Sequence, residues 1–145
     1  MGFFYGFGHT YGATFDAKPG FLRHGVVGMG YSKGDKEAYD HMLFHEIDRG
    51  SIVFIKSYPP LSGLIIKAVG IVIDPNVTLP EDEPDEQKRA LGSVIKVKWK
   101  WFPMEELGQE PLRLGKIADA TNRVGTIYRE SSARVKDAVL ARLCA

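Results

Sequence analysis

Three apolar segments between residues 50 and 101 constrain the fold of this chain more than any other feature. Residues 52–56 and 64–73 are rich in Ile, Val and Leu, which is typical of buried strands. Residues 94–102 alternate instead, so that one face of a strand carries Ile95, Val97, Trp99 and Trp101 and the other carries Lys96, Lys98 and Lys100. Prolines and Ser62-Gly63 separate the first two segments and predict a hairpin with a long loop. We therefore expect three strands of one sheet.

The rest of the chain predicts further strands and two main helices around this sheet. Strands are expected at residues 3–8 and 25–31. Between them we expect a loop or short helix that stops at Pro19-Gly20, and after them a helix over residues 35–49 that ends at Gly50. Residues 74–92 read as an exposed acidic loop, residues 109–115 as irregular, residues 125–128 as a final turn or strand, and residues 131–145 as a C-terminal helix capped by Ser131 or Ser132. This order predicts one α+β domain, residues 1–145, around a strongly bent sheet or barrel.

Composition excludes several classes of protein. The net charge of +1 is too small for a strongly basic, nonspecific DNA binder, although ten Lys or Arg against six Asp or Glu from Ala90 onward leave a weakly basic C-terminal half. The single cysteine, Cys144, excludes an internal disulfide and a cysteine-based zinc cluster. The chain shows neither a signal-peptide pattern nor an apolar run near the roughly 20 residues that span a bilayer, so we expect a cytoplasmic protein without membrane contact.

The candidate binding residues are aromatic and polar side chains at predicted strand ends. A barrel with aromatic rings at its rim suits a flat ring such as a flipped base. Tyr31 and Trp101 are candidate stacking rings, and Trp99, one pleat inside the strand, is expected in the core. The two other groups of candidates follow the first and third predicted strands: Phe7, Gly8 and His9, and then Lys56, Ser57 and Tyr58. Each also suits a structural role, as a half-buried tyrosine, a core histidine or an ordinary hairpin turn.

Basic residues are candidates for contacts to a nucleic-acid backbone. The lysines of residues 94–102 form one exposed row, and Arg123 and Arg129 join it if the C-terminal segment folds back: Lys96, Lys98, Lys100, Arg123 and Arg129. The same lysines also suit a solvated face that discourages aggregation. His41 and His45 have helical spacing but no third ligand, and the chain has no P-loop and no paired catalytic carboxylates, so we expect no metal, no cofactor and no catalytic residue.

Several of these segments together resemble a known family. The pieces are Val26-Val27-Gly28-Met29-Gly30-Tyr31, residues 50–56, Ala68-Val69-Gly70-Ile71-Val72 and Val97-Lys98-Trp99, with a closing Gly125-Thr126-Ile127-Tyr128-Arg129-Glu130 before a helix. In this order the chain resembles the EVE-like branch of the PUA-like superfamily, as found in modification-dependent restriction enzymes and other anti-phage proteins. Many relatives have an aspartate where this chain has Ser51, which we interpret as a turn-shaping position.

The resemblance implies a bent β-barrel with flanking helices and a pocket for a flipped, modified base. It implies a non-catalytic reader of a modified nucleobase, in DNA more than in RNA, within phage defence, with a nuclease or NTPase as the effector partner. A sensor or sponge for a free or cyclic nucleotide is the alternative, and would explain why the chain is not strongly basic. A small hydrolase is a second alternative, which a buried carboxylate, lysine and tyrosine gathered in one cleft would favour.

Overall fold

A bent sheet of seven strands forms the body of the protein, which is α+β. The computed structural model describes residues 3–12, 14–30, 44–119, 121, 123 and 126–144. Its strands are β1 (Phe4–Phe7), β2 (Thr10–Tyr11), β3 (Phe15–Asp16), β4 (Val26–Met29), β5 (Ile52–Ser57), β6 (Leu64–Thr78), β7 (Ser93–Trp101), β8 (Leu112–Gly115) and β9 (Ile127–Arg129). Its helices are α1 (Lys18–His24), α2 (Glu86–Arg89) and α3 (Ala133–Leu143), with short 3₁₀ turns at Pro80–Asp82 and Glu105–Leu107.

The strand order of the sheet is β4-β7-β6-β5-β1-β9, and β8 pairs with the start of β6. The pair β1 and β5 is parallel, whereas the other pairs are antiparallel. Strands β2 and β3 form a separate small hairpin. Among the described residues no strand pairing joins the two ends, β4 and β9, so the ladder is open.

The long strand β6 carries the irregularities that bend the sheet. Its register against β5 shifts between two successive pairs, Ile55 with Ala68 and Lys56 with Ile66. Lys67 is therefore the extra residue of a β-bulge, a feature that locally increases twist and re-aims a side chain. Further shifts against β7 lie between Val72 and Thr78.

Apolar side chains cover both faces of the sheet. On one face Phe7, Val27, Val53 and Ile55 pack with Phe21 of α1 in the larger cluster. On the other face, alternate residues of the same strands pack against α3, and this second cluster includes Phe54, Leu64, Ile66, Val69, Tyr128, Val135 and Val139. A sheet buried on both faces explains why β5 and the first half of β6 read as continuous apolar runs.

The structure confirms the predicted pattern of the strand 94–102. In β7, Ile95 and Val97 are buried while the three lysines between and after them are exposed. Trp99 packs against the larger cluster, and its indole N–H donates to the backbone oxygen of Phe21 at 2.9 Å. The closing helix is also confirmed as α3, whose cap is Ser132, with Oγ accepting from the N–H of Val135.

Three local predictions need correction. Pro19 and Gly20 do not stop an element, because they lie in the first turn of α1, where the missing N–H of proline has no cost. The predicted loop 74–92 begins later, since β6 continues to Thr78 by pairing with β7, and Leu91 is buried. Residues 109–115, predicted to be irregular, contain the strand β8.

The predicted helix over residues 35–49 lies mostly outside the described residues. Of its last part, Phe44 and His45 are helical, and the chain then turns before β5 rather than staying helical to Arg49. Gly50 has a φ of 87°, the left-handed conformation predicted for it, although it follows a turn and not the end of a helix.

Candidate functional site

A small cleft opens where β1 and β5 end. Its lining residues are Gly8, His9, Thr10, Lys56, Ser57, Tyr58 and Thr126. Because β1 and β5 are parallel neighbours, with Phe7 opposite Ile55, the residues that follow both strands emerge at the same edge. The structure therefore brings together five of the predicted site residues: Gly8, His9, Lys56, Ser57 and Tyr58.

The size of this cleft limits what it can hold. Its volume is about 190 Å³, whereas pockets for drug-sized ligands have about 300–1,000 Å³. One edge is closed by the backbone, where the N–H of Gly8 donates to the oxygen of Thr126 at 2.8 Å. The cleft is thus suited to a single ring or a similarly small group.

The predicted residue Phe7 does not reach the cleft. Its side chain is fully buried and meets the ring of Phe44 edge-on, with ring centroids 6.0 Å apart. The Phe7 side chain points into the larger hydrophobic cluster, on one face of β1. Its role is to anchor the strand end that carries Gly8 and His9.

His9 is buried and has a partner at each ring nitrogen. Nδ1 lies 2.7 Å from Oδ1 of Asp16, and Nε2 lies 2.9 Å from Nζ of Lys67. An ionised carboxylate only accepts and an ammonium only donates, so the consistent state is neutral histidine with its proton on Nδ1. Burial lowers the pKa of His9, and this outweighs the opposing hydrogen bond to Asp16.

Lys56 lines the cleft, but its side chain belongs to the interior. It is 3 % exposed, and its ammonium donates to the backbone oxygen of Arg123. The same ammonium lies 5.5 Å from the centre of the Tyr128 ring. Lys56 therefore holds the backbone at Arg123 against β5. It lines the cleft as a buried residue and is not a mobile cation on the surface.

Arg123, predicted to contact a nucleic-acid backbone, is instead buried in an ion-pair network. Its guanidinium donates two hydrogen bonds to Glu130, at 2.6 and 2.9 Å, and two to Asp119, at 2.8 and 2.9 Å. Hydrogen bonding to Glu130 raises the pKa of Arg123, and hydrogen bonding to Arg123 lowers the pKa of Asp119 to about 2. With 1 % of its surface exposed, Arg123 has no face for a phosphate.

Glu130 and Tyr128 complete this network beneath the cleft. The Tyr128 hydroxyl donates to Glu130 at 2.6 Å, and the backbone N–H of Ser132 donates to the same carboxylate. Burial opposes ionisation of Glu130, but these hydrogen bonds and those from Arg123 outweigh it and lower the pKa. A buried carboxylate, lysine and tyrosine do gather here, yet both carboxylate oxygens are bound to Arg123, as in a structural ion pair.

The predicted ring Trp101 lies in a different place. It lines a separate hollow of about 420 Å³ with Phe102, Pro103, Gln109, Glu110 and Arg142, and the Arg142 guanidinium stacks 5.4 Å from the ring centre. The other predicted ring, Tyr31, lies outside the described residues. Among the described residues, Tyr58 is thus the one predicted aromatic ring in the cleft, and an aromatic cage that includes Trp101 is not formed.

The remaining basic candidates are on the surface. Lys96, Lys98 and Lys100 are exposed along the outer face of β7. Arg129 is also exposed, with its guanidinium 3.3 Å from a carboxylate oxygen of Glu46 and 4.4 Å from the centre of the Phe3 ring. The three lysines are thus accessible to solvent, whereas Arg129 already has a carboxylate partner.

Sequence reasoning missed four residues in and behind the cleft: Thr10, Asp16, Lys67 and Thr126. Asp16 and Lys67 reach His9 from a small hairpin and from a β-bulge, neither of which has a local sequence signal. Within the part of the chain that the structure describes, no three His, Cys, Asp or Glu side chains are grouped as metal ligands would be. None of the described helices is both long and apolar enough to cross a bilayer.

The comparisons with known proteins give no relative. No family model matches the chain. No curated protein and no solved structure matches it significantly either.

Proposed function

We propose that this protein is a non-catalytic reader of a modified nucleobase in nucleic acid, DNA more than RNA, which it holds in the cleft at the ends of β1 and β5. The proposal includes a sheet of the PUA-like, EVE-like kind, to which the sequence segments are similar, and a role in phage defence with a nuclease or NTPase as effector. A flipped base would enter as a single ring, at a cost of a few kcal/mol for unstacking.

One observation carries the proposal: residues from two distant segments, selected as base-binding candidates, line one ring-sized cleft. Tyr58 is the half-buried aromatic residue of this cleft, and stacking of a base on its ring would contribute about 1–3 kcal/mol. Ser57, Thr10 and Thr126 supply hydroxyls and backbone groups for the polar edge of a base. These are the two kinds of contact that a flipped base requires.

The experiment is a binding titration with short oligonucleotides that differ in one modified base. We expect tighter binding of one modified oligonucleotide than of its unmodified counterpart, and a loss of about tenfold or more for Tyr58→Ala. Trp101→Leu is the matched control, because Trp101 lines another hollow and its loss should leave base binding unchanged. Equal binding of all oligonucleotides, or a larger loss for Trp101→Leu than for Tyr58→Ala, would contradict the proposal.

The alternative is a sensor or sponge for a free or cyclic nucleotide. The net charge of +1 favours it, because a ligand held mainly by its base needs little basic surface. A thermal-shift screen separates the two functions. Stabilisation by a free nucleotide, without tighter binding of any oligonucleotide, would favour the alternative.

A further inference from the structure

The two ring nitrogens of His9 are both occupied by protein groups. Asp16 accepts from Nδ1 and Lys67 donates to Nε2, as the distances of 2.7 and 2.9 Å indicate. His9 nevertheless lines the cleft. It therefore has no nitrogen left to hydrogen-bond a ligand, and its ring is uncharged in this arrangement.

The position of Lys67 is a consequence of the β-bulge in β6. In a regular strand, the neighbours of Lys67 would pair with consecutive residues of β5 and its side chain would follow the alternation. Here Ala68 and Ile66 pair with Ile55 and Lys56, which leaves Lys67 as the extra residue. The bulge thus directs the ammonium across β5 to His9, at the end of β1.

Tyr58 is the aromatic residue that lines the cleft together with His9. The two residues follow the parallel strands β1 and β5. Tyr58 is half-buried and also packs against the second cluster. A space of about 190 Å³ lies between the lining residues.

We infer that Asp16 and Lys67 are positioning residues that hold His9 in its neutral form, so that the cleft lined by His9 and Tyr58 takes an uncharged flat heterocycle. This inference rests on the proposed function, and it names the chemistry of the ligand group in the cleft. A cationic heterocycle is disfavoured, because the neighbouring ammonium groups of Lys67 and Lys56 already supply positive charge.

Acid should weaken this arrangement. A proton on Nε2 would remove the acceptor of Lys67 and place two cations in contact. Burial already lowers the pKa of His9. The pKa of Lys67 is lowered by burial and, in addition, by the positive charge of the nearby Lys18. Several elements contribute charged groups around His9 and Lys67. These groups are Asp16 of β3, Lys18 of α1, Lys56 of β5, Glu105 of the 3₁₀ turn Glu105–Leu107 and Arg113 of β8, besides Lys67 itself on β6.

The first test needs no ligand. The ¹⁵N signals of the His9 imidazole, followed against pH by NMR, should show the proton on Nδ1 and a titration midpoint below 6.5. Lys67→Met should raise this midpoint, since it removes the competing cation, and Asp16→Asn should lower it, since it removes the carboxylate. Lys116→Met, at an exposed lysine, is the control and should leave the midpoint unchanged. A proton on Nε2, or no shift with Lys67→Met, would overturn the inference.

The second test follows binding against pH. Binding of the preferred oligonucleotide by the natural protein should weaken as acid protonates His9, whose pKa lies below its ordinary 6.5. Lys67→Met and Asp16→Asn should shift the pH at which binding weakens in the same direction as they shift the ¹⁵N midpoint, and Lys116→Met should leave it unchanged. Binding that stays constant through the pH range in which His9 titrates would overturn the inference.

The two proposals fail in different ways. If no oligonucleotide binds better than another, the proposed function fails, while the ¹⁵N titration still decides whether Asp16 and Lys67 fix His9. If a modified oligonucleotide binds selectively but Lys67→Met leaves the titration of His9 unchanged, the proposed function stands and the further inference fails.

Discussion

The buried guanidinium of Arg123 joins two carboxylates, that of Glu130 in the interior and that of Asp119 at the surface. Its side chain and that of Glu130 are essentially without solvent contact, whereas Asp119 is partly exposed. A buried charge without its partner is costly, since neither water nor another charge compensates for it. The pair therefore fixes β9 and the cap of α3 relative to Lys56.

We predict that Arg123→Met lowers the free energy of unfolding by about 3 kcal/mol or more, because it leaves Glu130 buried without a cation. Urea denaturation at neutral pH measures this change. Arg129→Met is the matched control, because the Arg129–Glu46 pair is exposed and such pairs contribute about 1 kcal/mol or less. Similar losses for the two variants would contradict the buried network.

The same network predicts how stability responds to acid. The pKa of Glu130 is below its ordinary 4.5 in the folded protein, so the folded state holds fewer protons than the unfolded chain in this range. Stability should therefore be fully present above about pH 4.5 and decrease as the pH falls toward the folded pKa of Glu130. Urea denaturation at a series of pH values tests this, and Glu130→Gln should reduce the decrease relative to Glu110→Gln, at an exposed glutamate.

At the scale of elements, the β6–β8 pairing depends on one turn residue. Gly63 has a φ of 75°, and a Cβ built there would lie 2.1 Å from the backbone carbon of Gly115. The turn before β6 and the end of β8 are thus in backbone contact, and Leu64 pairs with Gly115. This close approach explains why the short strand β8 can form without a strong local strand signal.

We predict that Gly63→Ala lowers the free energy of unfolding by clearly more than the roughly 1 kcal/mol expected from a left-handed alanine alone. Gly108→Ala is the matched control, since Gly108 has a similar φ of 77° but open space around it. Urea denaturation compares the two variants, and amide NMR signals of residues 112–115 report on β8. Equal losses would mean that the contact with Gly115 contributes nothing.

At the scale of the whole molecule, the cleft and the exposed lysines of β7 lie on different strands of one sheet. β7 is separated from β5 by β6, and its lysines point to solvent. With a net charge of +1, binding of a nucleic-acid backbone rests on local rows of positive charge rather than on an overall field. Under the proposed function, the base and its backbone are thus held by separate parts of the sheet.

We predict that replacing Lys96, Lys98 and Lys100 together with Gln makes the salt dependence of oligonucleotide binding shallower. Each phosphate contact contributes a slope of about 0.7–0.9 in log K against log salt, so the loss should be at least about one unit. Titrations at several salt concentrations measure it. Tyr58→Ala should reduce affinity without changing the slope, and an unchanged slope in the triple variant would exclude these lysines as backbone contacts.

The sequence determined the strands because their signal is local. The alternation in residues 94–102 and the apolar runs on either side of the Pro-rich turn appear as β7, β5 and β6, since periodicity follows from which face is buried. It also selected five residues of the cleft, because the ends of β1 and β5 and the polar residues there can be recognised locally in the sequence. The strand β8 and the hairpin β2–β3 were missed, since both depend on pairing with other segments.

Only the tertiary structure decided which candidates meet. The parallel pairing of β1 with β5 brought His9 and Tyr58 to one cleft, while the position of β7 placed Trp101 in another hollow. The ion pair with Glu130 accompanies the burial of Arg123. These outcomes depend on contacts between residues distant in the chain, about which local propensity and spacing carry no information. The chain alone therefore determined which segments are strands and which residues end them, and long-range packing decided their neighbours and so the chemistry of the cleft.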